Sequence, residues 1–214
     1  VCYKKLNQHL NATLILESIS AKQRTARINV ALGELYQREK KEALATQCYR
    51  EVLKECPLSL EIILNLIKLG VKPNDLINLV MTNSTNMTNL DWLPVWIKAH
   101  SHLYSPDVTS AITLFKQLLS SNQFRNNPEI LRSFGQALYY NGDYKKAISA
   151  FKSTFKIDPL SLHGLDLYAS CLAKENQVKE LEEEYEKKKQ NAEIRKDEAE
   201  LKVVTQLEWS ARVW

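Results

Sequence analysis

A hidden period constrains this chain more than any other feature. The stretch "ALGELYQREKKEALATQCYREVLKECP" can be laid over "SFGQALYYNGDYKKAISAFKSTFKIDP". Gly33 then falls on Gly135, Ala45 on Ala147, Tyr49 on Phe151 and Pro57 on Pro159. The shift is 102 residues, three times 34. Inside each unit the order is a glycine, an alanine twelve later, an aromatic sixteen later and a proline twenty-four later. Self-similarity at a fixed period of about 20–50 residues marks stacked supersecondary units, none of which buries its apolar face alone.

Each matched position has a mechanical reason. A glycine facing an alanine lets two helices cross closely. The aromatics, Tyr49 and Phe151, are expected to fill the gap between successive units. Pro57 and Pro159 stop the second helix, because proline cannot continue it and disfavours αR in the residue before it. "NGDY" at 141–144 reads as the turn between helices, with Gly142 free to take φ > 0. The pattern resembles the tetratricopeptide repeat, a helix–turn–helix of about 34 residues. That resemblance implies an all-α helical-hairpin solenoid, a right-handed superhelix.

The other units are less regular. In "TSAITLFKQLL", Ala111 and Phe115 stand where Ala147 and Phe151 stand, but 36 residues earlier. That unit therefore opens near Trp92, with Ala99 as its small residue. The unit before it is compressed to 32 residues, and Pro73 opens its second helix. Ala169 lies 34 after Gly135, which starts a fifth unit near Leu162. Its second helix is degenerate, since Leu181 replaces the small residue while Tyr185 keeps the aromatic. At the front, Ala12 and Leu16 match second-helix positions, so the chain is expected to begin inside a repeat. The expected organisation is a solenoid over 1–190, with a partial repeat at 1–25 and repeats at about 26–59, 60–91, 92–127, 128–161 and 162–188. A charged helix or tail follows at 191–214. The helix pairs are expected at about 1–20, 26–56, 60–85, 91–121, 128–157 and 162–188.

Composition narrows the function classes. The chain carries 29 basic and 25 acidic residues, mixed along its length, for a net charge of +4. No basic stripe precedes the C-terminal tail, so no nucleic-acid partner is expected. No run of about 18 apolar residues exists, so no membrane span is expected. Five glycines in 214 residues disfavour Gly-lined phosphate loops. The first residue is Val, so the natural start is expected upstream. Cys2, Cys48, Cys56 and Cys171 contain no CxxC pair and read as reduced intracellular thiols. The sequons at Asn11, Asn83 and Asn86 read as chance occurrences.

Three segments are more specific than the period. These are "CYKKL" with "ILESISAKQRTARIN", then "YREVLKECPLSLEIILNL", then "NLDWLPVWIKA". From about Cys2 to Leu181 the chain resembles the subunit 7 family of the anaphase-promoting complex, the cyclosome. That resemblance implies a non-catalytic scaffold subunit of a large ubiquitin ligase, acting in mitotic cell-cycle control and ubiquitin-dependent degradation. It implies other tetratricopeptide subunits of that complex as partners, and homodimerisation of the full-length protein through N-terminal repeats mostly absent from this chain. It also implies a nuclear and cytoplasmic location, with N- and C-terminal parts of the family outside this chain. The alternative is a generic tetratricopeptide peptide-binding adaptor. After Glu184 the expected next repeat is not found. That stretch reads as a solvated charged helix, with Glu183–Lys187 and Glu184–Lys188 at i, i+4 spacing. The sharper alternative there is a Trp209/Trp214 anchor for a partner.

No catalytic chemistry is legible, so neither an enzyme, a cofactor nor a metal is expected. His100 and His102 are two apart and cannot form the i, i+4 pair of a helical zinc site. His9 and His163 are isolated. Cys48 and Cys56 read as packing residues beside Tyr49 and Pro57. The tetratricopeptide resemblance instead points to the concave groove, lined by first-helix positions 2, 5, 9 and 12. The candidate partner contacts are Trp96, His100, Leu103, Arg132, Gln136, Tyr139, His163 and Asp166. Val30, Glu34, Arg132 and Gln136 replace the Lys and Asn of chaperone-tail clamps, which disfavours that role. Asp91 is the expected N-cap of "DWLPVWIKAH", so Pro94 falls in the first helical turn, where its missing N–H costs little. Trp92 is expected to pack toward the short unit. Trp96 is expected to pack as well, with contact to another protein as the alternative.

Overall fold

The computed structural model describes residues 9–84 and 88–195, and every regular element among them is helical. Cys2, Asn86, the whole "CYKKL" segment and the Trp209/Trp214 pair lie outside the described residues. The chain divides into two compact units, residues 1–104 and 105–214.

The first unit contains α1 (His9–Glu17), a 3₁₀ turn (Ala21–Gln23), α2 (Ala26–Arg38), α3 (Glu42–Glu55), α4 (Leu60–Lys68), α5 (Pro73–Asn83) and α6 (Trp92–Leu103). In α2 the apolar residues recur at helical spacing, so Leu32, Leu35 and Tyr36 share one buried face. That face meets α3, which buries Ala45, Cys48, Tyr49, Val52 and Leu53. The crossing is close because Gly33 has no side chain. A Cβ built there would lie 2.4 Å from Cε1 of Tyr49. Tyr49 is fully buried, and its hydroxyl donates to Oε1 of Gln37 at 3.0 Å. Polar contacts hold α1 on α2. The Tyr36 hydroxyl donates to Glu17 at 2.7 Å, and the Thr13 hydroxyl donates to Glu39 at 2.9 Å.

The compressed stretch behaves differently from a regular hairpin. Helices α4 and α5 pack on α3 before them and α6 after them, rather than closely on each other. No Gly–Ala pair marks their crossing. Ile63, Leu66, Leu76 and Val80 are all buried, in helices whose packing partners are α3 and α6. Pro73 opens α5, as its position suggested.

The second unit contains α7 (Val108–Ser120), α8 (Pro128–Tyr140), α9 (Tyr144–Ile157), α10 (Leu165–Lys174) and α11 (Val178–Arg195). Asp107 caps α7 by accepting from the Ser110 N–H at 3.2 Å. Asn127 caps α8 in the same way through Ile130 at 3.1 Å, with Pro128 at the first helical position. Helices α8 and α9 pair as α2 and α3 do. A Cβ on Gly135 would lie 3.1 Å from the Phe151 ring. The far side of Phe151 meets the next hairpin, where its ring centroid is 6.0 Å from that of Tyr168. Ala111, Phe115, Ala147 and Phe151 are fully buried, and Ala99 is equally buried in the first unit. Ala169 is half-buried. Pro57 and Pro159 each follow one residue after a helix C-cap, but Pro57 is buried and Pro159 is exposed.

Four hairpin turns share one backbone solution. The N–H groups of Lys41, Val71, Asp143 and Gln177 each reach back five residues, to Tyr36, Leu66, Leu138 and Leu172. The residue before each has positive φ: Lys40 at 58°, Gly70 at 79°, Gly142 at 82° and Asn176 at 55°. This is the Schellman motif, which satisfies the last carbonyls of a helix. Lysine is an unfavourable residue for the left-handed region.

Several sequence expectations change. Helix α10 starts at Leu165, because Gly164 before it sits at φ 82° and a helix cannot run through that conformation. His163 therefore precedes the helix instead of riding on its second position. Helix α11 runs unbroken to Arg195, so the expected boundary at 190/191 lies inside a helix. Asp91 stands at the N-cap position with helical dihedrals and makes no side-chain cap bond. Pro94 is nevertheless in the first turn of α6, among the N–H groups that have no intrahelical partner. Cys56 is exposed as the C-cap of α3, while Cys48 is buried as expected.

Three substitutions test these turns and crossings. Gly33→Ala should lower stability by about 1–2 kcal/mol, because overpacking against a buried ring outweighs the helix propensity gained. Gly135→Ala should be close to neutral, and urea denaturation of both variants reads the difference. Lys40→Gly should raise stability by about 1 kcal/mol by removing a left-handed lysine, seen as an increase in the urea midpoint.

Candidate functional site

The groove candidates fall into two groups. On α6, Trp96, His100 and Leu103 are all buried. Trp96 and His100 are four apart, and their ring centroids lie 4.4 Å from each other at 58°. Trp92 is half-buried. In the second unit, α8 and α10 lie side by side, as neighbouring first helices do. Arg132, Gln136 and Tyr139 follow one another on successive turns of α8 and are half-buried. Arg132 pairs with Glu129, and its stem lies where a Cβ on Gly164 would touch it at 3.2 Å. The Gln136 amide donates to the Tyr140 hydroxyl at 3.3 Å. His163 and Asp166 are both exposed.

A polar cluster under α11 was not foreseen. The stretch was expected to be solvated, yet Lys188 is 5% exposed. Its ammonium donates to the carbonyl of Ser161 at 2.8 Å and to that of Pro159, and lies 4.5 Å from the Phe155 ring centroid. The chain after α9 thus offers its carbonyl oxygens to a cation from the next hairpin. The expected partner Glu184 instead holds Lys187 at 2.9 Å. Glu180 accepts from the Tyr168 hydroxyl at 3.0 Å and from Lys152 at 2.7 Å. These groups line a cleft of about 330 Å³ between α9, α10 and α11. The available signal was Tyr168 twelve residues before Glu180. Tyr49 stands in the same relation to Gln37, in the reverse order.

The electrostatics of this cluster are those of a structural anchor. The Lys152 ammonium, and then the Tyr168 hydroxyl, hold the Glu180 carboxyl below its ordinary 4.5 against the opposing effect of burial. Burial first, then the bond to Glu180, pushes the Tyr168 phenol well above its ordinary range. Burial pushes Tyr36 and Tyr49 up to about 12 and the Cys171 thiol up to about 11. Burial also raises Cys48. Both buried cysteines are therefore thiols at neutral pH and poor nucleophiles. Among the described residues no group of three His, Cys, Asp or Glu side chains could hold a metal. No described helix is long and apolar enough to cross a membrane.

No protein-family model matches the chain. Curated relatives do. A human protein is 35% identical over 181 residues, covering 85% of this chain and 32% of its own length. A mouse protein is 34% identical over the same span, and one from Arabidopsis thaliana is 30% identical over 184 residues, covering 80% and 33%. Each is named anaphase-promoting complex subunit 7. The chain is similar to anaphase-promoting complex subunit 7. The family resemblance expected from the sequence is thereby borne out. The chain spans about a third of the length of the curated relatives it matches. Two solved structures are similar at lower level. The MamA protein has a TM-score of 0.49 at 18% identity, covering 81% of this chain and 95% of its own. The C-terminal part of a tetratricopeptide-repeat protein from Cytophaga hutchinsonii has 0.43 at 16%, covering 96% and 91%.

The sign of the Glu180 effect is testable. Its folded pKa is depressed, so its stabilising contribution is present above the unfolded pKa and is lost as pH falls through the folded one. Glu180→Gln should therefore lower Tm at pH 7, and the gap to the parent should close as pH drops below about 4. Thermal melts followed by circular dichroism from pH 7 to pH 3 would show it.

Proposed function

We propose that this chain is part of a scaffold subunit of the anaphase-promoting complex ubiquitin ligase. Its work is protein contact rather than catalysis, in mitotic cell-cycle control and ubiquitin-dependent degradation. The observation that carries this reading is the similarity to subunit 7 across some four fifths of the chain. The geometry supports it: stacked hairpins give rigid, side-chain-rich faces with a continuous core behind them.

On this reading the partners are other tetratricopeptide subunits of the complex, with homodimerisation of the full-length protein, in nucleus and cytoplasm. The half-buried and exposed groups of α8 and α10, namely Arg132, Gln136, Tyr139 and Asp166, are the contact residues, with His163 at the turn before α10. Trp96, His100 and Leu103, buried in the first unit, act by packing.

Affinity purification of the tagged full-length protein from dividing cells should recover the other tetratricopeptide subunits in amounts comparable with the bait. Recovery of a ligand defined by one short peptide motif, without those subunits, would favour the generic adaptor and sink the scaffold reading.

A further inference from the structure

The edge of the second unit formed by the α8–α9 and α10–α11 turns carries an exposed aromatic and basic patch that continues from the groove residue Tyr139. Tyr139, Tyr140 and Tyr144 cluster there, with ring centroids 5.6 Å and 5.7 Å apart for the pairs 139–140 and 139–144. Tyr140 is 52% exposed. Lys174, from the next hairpin, lies over the Tyr144 ring at 5.1 Å. Lys145 and Lys146 project beside it.

Charge and exposure together select the occupant. Two carboxylates are present, but they are set back: the side chains of Asp143 and Glu175 are 40% and 22% exposed, whereas those of Lys146 and Lys145 are 69% and 86% exposed. Their ion pairs are long, at 3.6 Å and 3.9 Å. Exposed pairs of this kind are worth little and leave the lysines available. The outermost charge is therefore positive, and the surface between the charges is tyrosine. Tyrosine offers large contact area at low ordering cost, and interface cores are enriched in it.

We propose that this turn edge docks an acidic peptide segment bearing apolar side chains. Carboxylates of the segment meet Lys145, Lys146 and Lys174, and its apolar groups lie on Tyr140 and Tyr144. The site adjoins the groove through Tyr139 and does not rest on membership of the ubiquitin ligase.

The test uses the 214-residue chain and a fluorescein-labelled peptide that alternates glutamate with leucine, read by anisotropy at low salt. Binding is expected, weakening as salt rises, and the matching lysine–leucine peptide should not bind. The K145E/K146E/K174E variant should weaken binding by about tenfold or more, a loss of about 1.4 kcal/mol. Tyr140→Ala should also weaken it, with the helical circular dichroism unchanged. The K22E/K98E/K116E variant makes the same charge reversal elsewhere and should keep most of the affinity. Equal loss in both triple variants, indifference to peptide charge, or tighter binding of single-stranded DNA would each overturn the proposal. So would self-association of the free protein through this edge.

Discussion

The close approach of an aromatic ring to a glycine on the facing helix is the contact on which the regular hairpins depend. Tyr49 lies against Gly33 and Phe151 against Gly135, in each case with a fully buried ring. At Gly33 the ring can lie there only because the facing helix presents backbone alone, whereas at Gly135 the approach is looser, 3.1 Å against 2.4 Å. The fully buried Ala45 and Ala147 sit one helical turn before their rings, on the same helix. Remove that allowance and helix axes move apart. The compressed stretch shows this within the same protein. It has no such glycine, and α4 and α5 pack on α3 and α6 instead of closely on each other.

The ring also links one hairpin to the next. Phe151 is held between Gly135 of its own hairpin and Tyr168 of the following one. Tyr168 in turn holds Glu180 on α11. The core of the second unit thus continues from one hairpin to the next, and polar groups help fasten α11 to it. Lys188 completes the fastening on the carbonyls of Pro159 and Ser161. This accounts for a helix of strongly charged composition remaining docked. Of its charges, Glu180 and Lys188 face inward and are paired.

Much of this was legible in the residues. The period, the small residues at the crossings, the proline stops and the turn at Gly142 all follow from local rules acting at a fixed spacing. The resemblance to subunit 7 was legible in segments outside the repeat consensus. Less legible were the turns at Lys40 and Asn176. At Lys40 the backbone takes a left-handed conformation that lysine does not announce, and the bond back to Tyr36 holds it, whereas asparagine at 176 tolerates that region. The start of α10 was misplaced for a related reason: Gly164 takes its φ of 82° against Arg132 and Phe151, which a period cannot show.

The candidate site divides along the same line. A helical position assigned residues to the groove face, but exposure is decided by what packs against that face. Trp96, His100 and Leu103 carry the groove spacing and are buried, whereas Arg132, Gln136 and Tyr139 carry it and remain half open. The docking of Lys188 and Glu180 was invisible for the opposite reason, since Lys188 bonds to carbonyls 27 and 29 residues back and Glu180 bonds to Lys152 on α9, all outside their own hairpin. The sequence by itself determined the helical hairpins, their period and the family likeness, because those depend on local sterics repeated at one interval. The tertiary structure alone decided which faces stay open and which charges turn inward, because burial is a property of neighbours brought together by the fold.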